Sequence, residues 1–197
     1  MFQCILKCMI RMIEENDIFA CWWWYNWYIT HSYATFETEP VSSREFTDRV
    51  HAVREKYPWI VLEEDGVPVG YAYLSSFNMK AAYRWTCDLA IYLAPDKLGQ
   101  GYGSQLMKAI LDLAEKDGYY NMVSLITCGN TESEHLHEKF GFEKKGVIDS
   151  AGNKNGQNLS VAFYQKTLRT FEGGAVPPEP VNLNPYAERR EGRVPLF

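Results

Sequence analysis

A chain of 197 residues with 46% hydrophobic side chains can bury one sizeable core and lies within the usual size of a single domain. A formal net charge of −5 and the lack of a basic stripe argue against a nucleic-acid backbone as partner and leave a small molecule as the expected one. Five cysteines, an odd set with no Cys-x-x-Cys pair, and histidines without zinc spacing argue against a disulfide framework and against a structural metal, and suit a reducing cytoplasm.

The apolar start MFQCILKCMIRMI is interrupted by Lys7 and Arg11 and followed by no small-residue cleavage site, so it reads as a buried first strand. The aromatic run at 18–29, IFACWWWYNWYI, contains Asn26 and falls short of the about 20 apolar residues that a membrane span needs. With Asp17 as candidate N-cap it reads as a buried first helix, and no membrane partner is expected. Ser42 and Glu45 have the spacing of a capping box and open a helix to about Tyr57. WIVLEEDGVPVGYAYLSSF reads as a hairpin turning at Asp65-Gly66, and residues 83–95 as one long strand ended by Pro95. From Ser104 to Lys116 the residues Leu106, Met107, Ile110, Leu111 and Ala114 share a helical face, and Asp117-Gly118 stops the helix. MVSLITC is a strand, SEHLHEKF a short helix, and EKKGVI and SVAFYQKTL are two last strands. Residues 171–197, rich in proline, glycine and charge, read as a tail.

The stretch KLGQGYGSQLMKAIL poses the functional question, because three glycines, Gly99, Gly101 and Gly103, run straight into a helix. Serine at 104 breaks the dinucleotide fingerprint GxGxxG, and counting from Gly99 also denies a P-loop its glycine and lysine. What remains is a strand, an unobstructed turn and a helix N-terminus. Convergent amides and the helix macrodipole make such a turn a place for a pyrophosphate.

The order strand, GxG turn, helix, strand, Asn130, short helix, Gly141-Phe142 resembles the acetyl-CoA-dependent N-acetyltransferases of the GNAT superfamily, within it the phosphinothricin acetyltransferase group. The matching pieces are ATFETEP (34–40), YPWIVLEEDG (57–66), AYRWTCDLAIYLAP (82–95), LGQGYGSQLM (98–107) and NTESEHLHEKFGF (130–142). The resemblance implies an α/β (α+β) fold, a splayed, mostly antiparallel mixed sheet flanked by helices, with residues 1–170 forming the acetyltransferase domain. It implies that Ile91, Tyr92 and Leu93 pair with the pantetheine arm of acetyl-CoA like an added strand. Leu98, Gly99, Gln100, Gly101, Tyr102 and Gly103 match the pyrophosphate loop, although the family usually starts it with Gln or Arg where Leu98 stands. Asn130 matches a cofactor contact and is also a candidate helix cap. Asp88 matches a catalytic glutamate: a carboxylate there takes the proton from an ammonium directly or through water, and the shorter side chain makes a bridging water the expected route or lowers activity. His137 matches a residue beside the departing thiolate, able to protonate the sulfur or orient substrate. Cys87 reads as packing.

On the acceptor side, Phe36, Asn78, Met79, Lys80, Leu89 and Ala90 match substrate-contacting positions, with Lys80 the one cation among them. Tyr83 and Arg84 are candidates for a missing second donor. The implied reaction is transfer of acetyl to the α-amine of a phosphinothricin, methionine sulfoximine or methionine sulfone type compound. Another amine (a polyamine, an aminoglycoside or a protein N-terminus) and a CoA-binding sensor that no longer catalyses are the rival expectations. Aromatic apolar surface and the habit of the resembling proteins imply a homodimer.

Overall fold

The computed structural model describes residues 8–170, so the first seven residues and the 171–197 tail lie outside the described residues. In chain order the elements are β1 (Cys8–Met12), α1 (Ile18–His31), α2 (Ser43–Arg54), β2 (Trp59–Glu64), β3 (Val67–Ser76), β4 (Thr86–Leu93), α3 (Tyr102–Asp117), β5 (Asn121–Thr127), α4 (Thr131–Lys139), β6 (Glu143–Lys154) and β7 (Gln157–Thr167). Single 3-10 turns at Glu15–Asp17, Ala81–Tyr83 and Pro95–Lys97 join them. The strands form one mixed α/β sheet in the order β1-β2-β3-β4-β5-β7-β6, antiparallel except where β4 meets β5. Among the described residues no helix is long and apolar enough to cross a membrane.

Two cores lie on opposite faces of this sheet. Strand β2 is buried on both: Ile60 and Leu62 join α3 residues Leu106, Met107 and Ile110, while Trp59 and Val61 join Cys21 and Trp24 of α1 and Phe46 and Val50 of α2. Each large side chain so buried contributes on the order of 2–3 kcal/mol. In α1 the aromatic run buries Ile18, Cys21, Trp24, Tyr28 and Ile29 but leaves Phe19 and Trp23 exposed, so the helix is half-buried rather than buried throughout.

Several expectations are corrected. The described part of the first strand is a sheet edge with Cys8 and Met9 exposed, because it pairs with β2 alone. Asp17 does not cap α1: the preceding 3-10 turn runs on into the helix, and its carboxylate instead accepts from Arg11 at 2.6 Å and from the Glu14 amide. Ser42 does cap α2, accepting from the Glu45 amide at 3.2 Å, but that helix ends at Arg54. The strand expected over 83–95 covers only Thr86–Leu93, and helix α3 starts at Tyr102 rather than Ser104. The two last strands are longer than expected and form one hairpin turning at Asn155-Gly156, both at positive φ. Asp65-Gly66 turns the first hairpin in the same way, at φ 51° and 82°.

The connection that matters most is the parallel one. Strands β4 and β5 pair only at Thr86 with Asn121, Cys87 with Met122 and Asp88 with Val123. Beyond that point β4 stays with β3 up to Leu93 and β5 stays with β7 up to Thr127, so the sheet opens into a V with Asp88 at its apex.

Candidate active site

The V is the floor of a cleft of about 520 Å³, walled by β4 from Asp88 to Leu93, by β5 from Ser124 to Thr127, by the glycine turn and by α4. Past the apex one edge of β4 has no strand beside it among the described residues, and Tyr28 of α1 donates to the Leu93 carbonyl at 3.0 Å, fixing the end of that edge.

Asp88 lines the cleft half-buried, and its Oδ1 is buried with no hydrogen-bond partner among the described residues. Removal from water disfavours the charged form, and burial raises the carboxyl from 3.8 to about 7. Strand alternation puts Asp88, Ala90 and Tyr92 on one face, with Tyr73 opposite Ala90 on β3, and Leu89 on the other face.

On that other face stand Ser124 and His137. The His137 Nδ1 lies 2.7 Å from the Ser133 carbonyl, which can only accept, so the proton sits on Nδ1. Its Nε2 lies 2.9 Å from Ser124 Oγ, which also lies 3.3 Å from the Leu89 carbonyl across the opening of the V. The Ser124 hydroxyl donates to that Leu89 carbonyl, and burial disfavours the charged ring, lowering the His137 pKa from its ordinary value.

The glycine turn approaches the cleft through Leu98, Gly99, Gly101, Gly103 and Ser104. Gly99 and Gly101 have φ 74° and 84°, with nothing within 4 Å of an added Cβ, so backbone conformation and not crowding demands glycine. At Gly103 a Cβ would meet Leu136 at 3.3 Å. Helix α3 makes its first internal bond from Gln105 to Gly101, and no side chain caps it, which leaves the amides of the first turn to a ligand. Glu64 of β2 holds both flanks of the turn, accepting from Lys97 Nζ at 2.6 Å and from the Tyr102 hydroxyl.

The structure thus gathers Asp88, Leu89, Ala90, Ile91, Tyr92, Leu93, Leu98, Gly99, Gly101, Gly103, Asn130 and His137 around one cleft. Asn130 also accepts from the Ser133 amide, as a cap does. It does not bring the other expected residues to the lining. Tyr102 is buried with its hydroxyl on Glu64, and Gln100 donates to the Asp96 carbonyl. Phe36 packs on Gly152 of β6. Asn78, Met79 and Lys80 are exposed, with Asn78 accepting from the Lys80 amide, a local turn that keeps the segment outside the cleft. Tyr73, Ser124 and Thr127 also line the cleft and were not singled out in the sequence, because they reach it through the pairing of β3 with β4 and the divergence of β5 from β4. Among the described residues no group of three His, Cys, Asp or Glu side chains is placed to hold a metal.

The sheet thus splits at its one parallel pair, with the N-terminus of α3 at the mouth of the opening and the raised Asp88 carboxyl at its apex. The chain belongs to the acetyltransferase (GNAT) family, whose profile matches residues 21–142. It is 36% identical over 172 residues to the phosphinothricin N-acetyltransferase of Streptomyces viridochromogenes, covering 87% of this chain and 92% of that protein. It is 30% identical over 164 residues to the L-methionine sulfoximine/L-methionine sulfone acetyltransferase of Salmonella typhimurium, covering 81% and 94%. A phosphinothricin acetyltransferase from Sinorhizobium meliloti, solved in complex with acetyl-CoA, superposes with a TM-score of 0.82 at 30% identity, covering 90% of this chain and 96% of that one.

Proposed function

We propose that the protein is an acetyl-CoA-dependent N-acetyltransferase acting on the α-amine of a small amino-acid analogue of the phosphinothricin, methionine sulfoximine or methionine sulfone type. The observation that carries the reading is Asp88, a carboxylate with one unpaired oxygen at the apex of the cleft and a pKa raised to about 7. An α-ammonium must lose a proton before it can attack, and a base of that strength is half-ionised at neutral pH. Acetyl-CoA supplies the acyl thioester. The first amides of α3 and the Gly99–Gly101 turn hold its pyrophosphate, and the open edge of β4 at Ile91–Leu93 holds its pantetheine arm by backbone pairing. Asp88 takes the ammonium proton, directly or through a water, and the freed amine attacks the thioester carbonyl without an acyl-enzyme step; the C–S bond then breaks, CoA leaves as its thiolate, and the second amine proton ends on that sulfur, giving the neutral amide and free thiol. Cys87 is no nucleophile, since burial holds its thiol well above 9.0. Ser124 and His137 stand across the split on the opposite face from Asp88.

We place the protein in the cytoplasm, in keeping with Cys8, Cys21, Cys87 and Cys128 all being free, and read Phe19 and Trp23, one turn apart on α1, as part of a homodimer contact. Thiol release from acetyl-CoA with a panel of amines tests the activity. Turnover on methionine sulfoximine, methionine sulfone or phosphinothricin is expected. Turnover confined to spermidine, an aminoglycoside or a peptide N-terminus rejects the acceptor class, and binding without turnover on any amine makes the protein a CoA sensor.

A further inference from the structure

Lys154 is the last residue of β6, within a polar, mostly exposed strand, yet it is only 1% exposed. Its ammonium reaches back to the loop after α1 and donates to two backbone carbonyls, Ser32 and Thr35, each at 2.8 Å. That loop forms part of the cleft wall: Ala34 lines the cavity, Thr127 of β5 donates to the Tyr33 carbonyl at 2.5 Å, and Thr35 meets the Tyr25 hydroxyl at 3.3 Å. Gly152, two residues before Lys154, makes room for the Phe36 ring, which a Cβ there would approach to 2.8 Å.

The charge of this ammonium is not cancelled where it sits. Both acceptors are neutral carbonyls, and among the described residues Lys154 forms no salt bridge; the carboxylate acting on it, Glu37, is already paired with Arg49 at 2.8 Å. A charge kept in a poorly solvated site acts over about 10 Å with little screening. Lys80, by contrast, is exposed to water outside the cleft.

Resting on the acceptor class proposed above, we infer that Lys154 is the specificity-determining residue that makes the cleft prefer amines bearing an α-carboxylate. It does so by lending the 32–36 wall of the cleft a positive charge from behind.

The test compares methionine sulfone with its α-carboxamide, an acceptor of the same shape without the negative charge. The kcat/KM for each is measured in the parent, in Lys154→Gln, which keeps a donor but no charge, and in Lys154→Met. Taking the acid-to-amide ratio in each protein and comparing proteins cancels the different basicity of the two amines. The expected result is that both variants lose about tenfold or more on the acid, stay within about twofold on the amide, and keep the parental KM for acetyl-CoA. An equal fall on both acceptors, or an unchanged ratio, overturns the inference while leaving the acceptor class intact. A parent that prefers the amide or a cationic amine overturns both. If Lys154→Met fails to fold, Lys154→Gln alone decides.

Discussion

Replacing Asp88 with asparagine removes the proposed base while keeping its shape. The parental kcat/KM should rise with pH through an acid limb near 7, because the carboxyl must be ionised to act and burial raises it to about 7. In Asp88→Asn that limb should vanish and turnover at pH 7 should fall by about 10²–10⁴-fold, the usual contribution of a positioned base. The loss should shrink by about tenfold per pH unit as more amine arrives deprotonated, until the amine's own pKa is passed. Stability should move the opposite way. The folded pKa lies above the unfolded 3.8, so between about 4 and 7 the folded state binds more protons, and this group's penalty grows as pH rises through that window. Removing the charge should therefore stabilise the variant at pH 8, by at most roughly 4 kcal/mol, and by little at pH 4. Thiol-release kinetics from pH 6 to 9 and thermal melts at pH 4 and 8 read both effects. Near-parental turnover at pH 7 in Asp88→Asn, with the acid limb retained, would refute the base assignment.

Gly101→Val should raise the KM for acetyl-CoA about tenfold or more, and that for the amine far less, because a β-branched residue is strained at φ 84°; steady-state kinetics in each substrate check it. Tyr102→Phe should raise the same KM several-fold with kcat nearly unchanged, since it releases one flank of the glycine turn from Glu64; an unchanged KM dismisses Glu64 as a support of the turn. Gly152→Ala should lower stability by about 1–3 kcal/mol, read by thermal denaturation, because its methyl would lie 2.8 Å from the Phe36 ring. Sedimentation should show a dimer at micromolar concentration that Phe19→Asp weakens, and a parental monomer would remove the dimer from the account.

Features fixed by backbone chemistry were legible in the sequence. Asp65-Gly66 can turn a hairpin because both residues accept positive φ, and the Gly99–Gly101 turn declares itself for the same reason. The identical signal at Asn155-Gly156 went unread because the strand before it carries little alternation. Register shifts between Lys144 and Gly146 and between Ile148 and Gly152 break its period. Asp88 was singled out through the resemblance, which matches it to a catalytic glutamate, and its raised pKa depends on where the sheet splits, since pairing lengths are not written locally. Lys154 was illegible: a lysine in a polar run reads as solvated, and its burial is decided by carbonyls 122 and 119 residues away. Asn78 to Lys80 rested on resemblance alone, and the turn made by Asn78 with the Lys80 amide directs the segment to solvent.

The central claim is that the opening of β4 from β5 seats the acyl thioester beside Asp88. A crystal structure with acetyl-CoA and methionine sulfoximine measures this directly. The account predicts the pyrophosphate on the first amides of α3, the pantetheine arm along Ile91–Leu93, and the acceptor nitrogen within one bridging water of the Asp88 carboxylate. An acyl group seated away from the split, or an acceptor nitrogen with no proton path to Asp88, would contradict it.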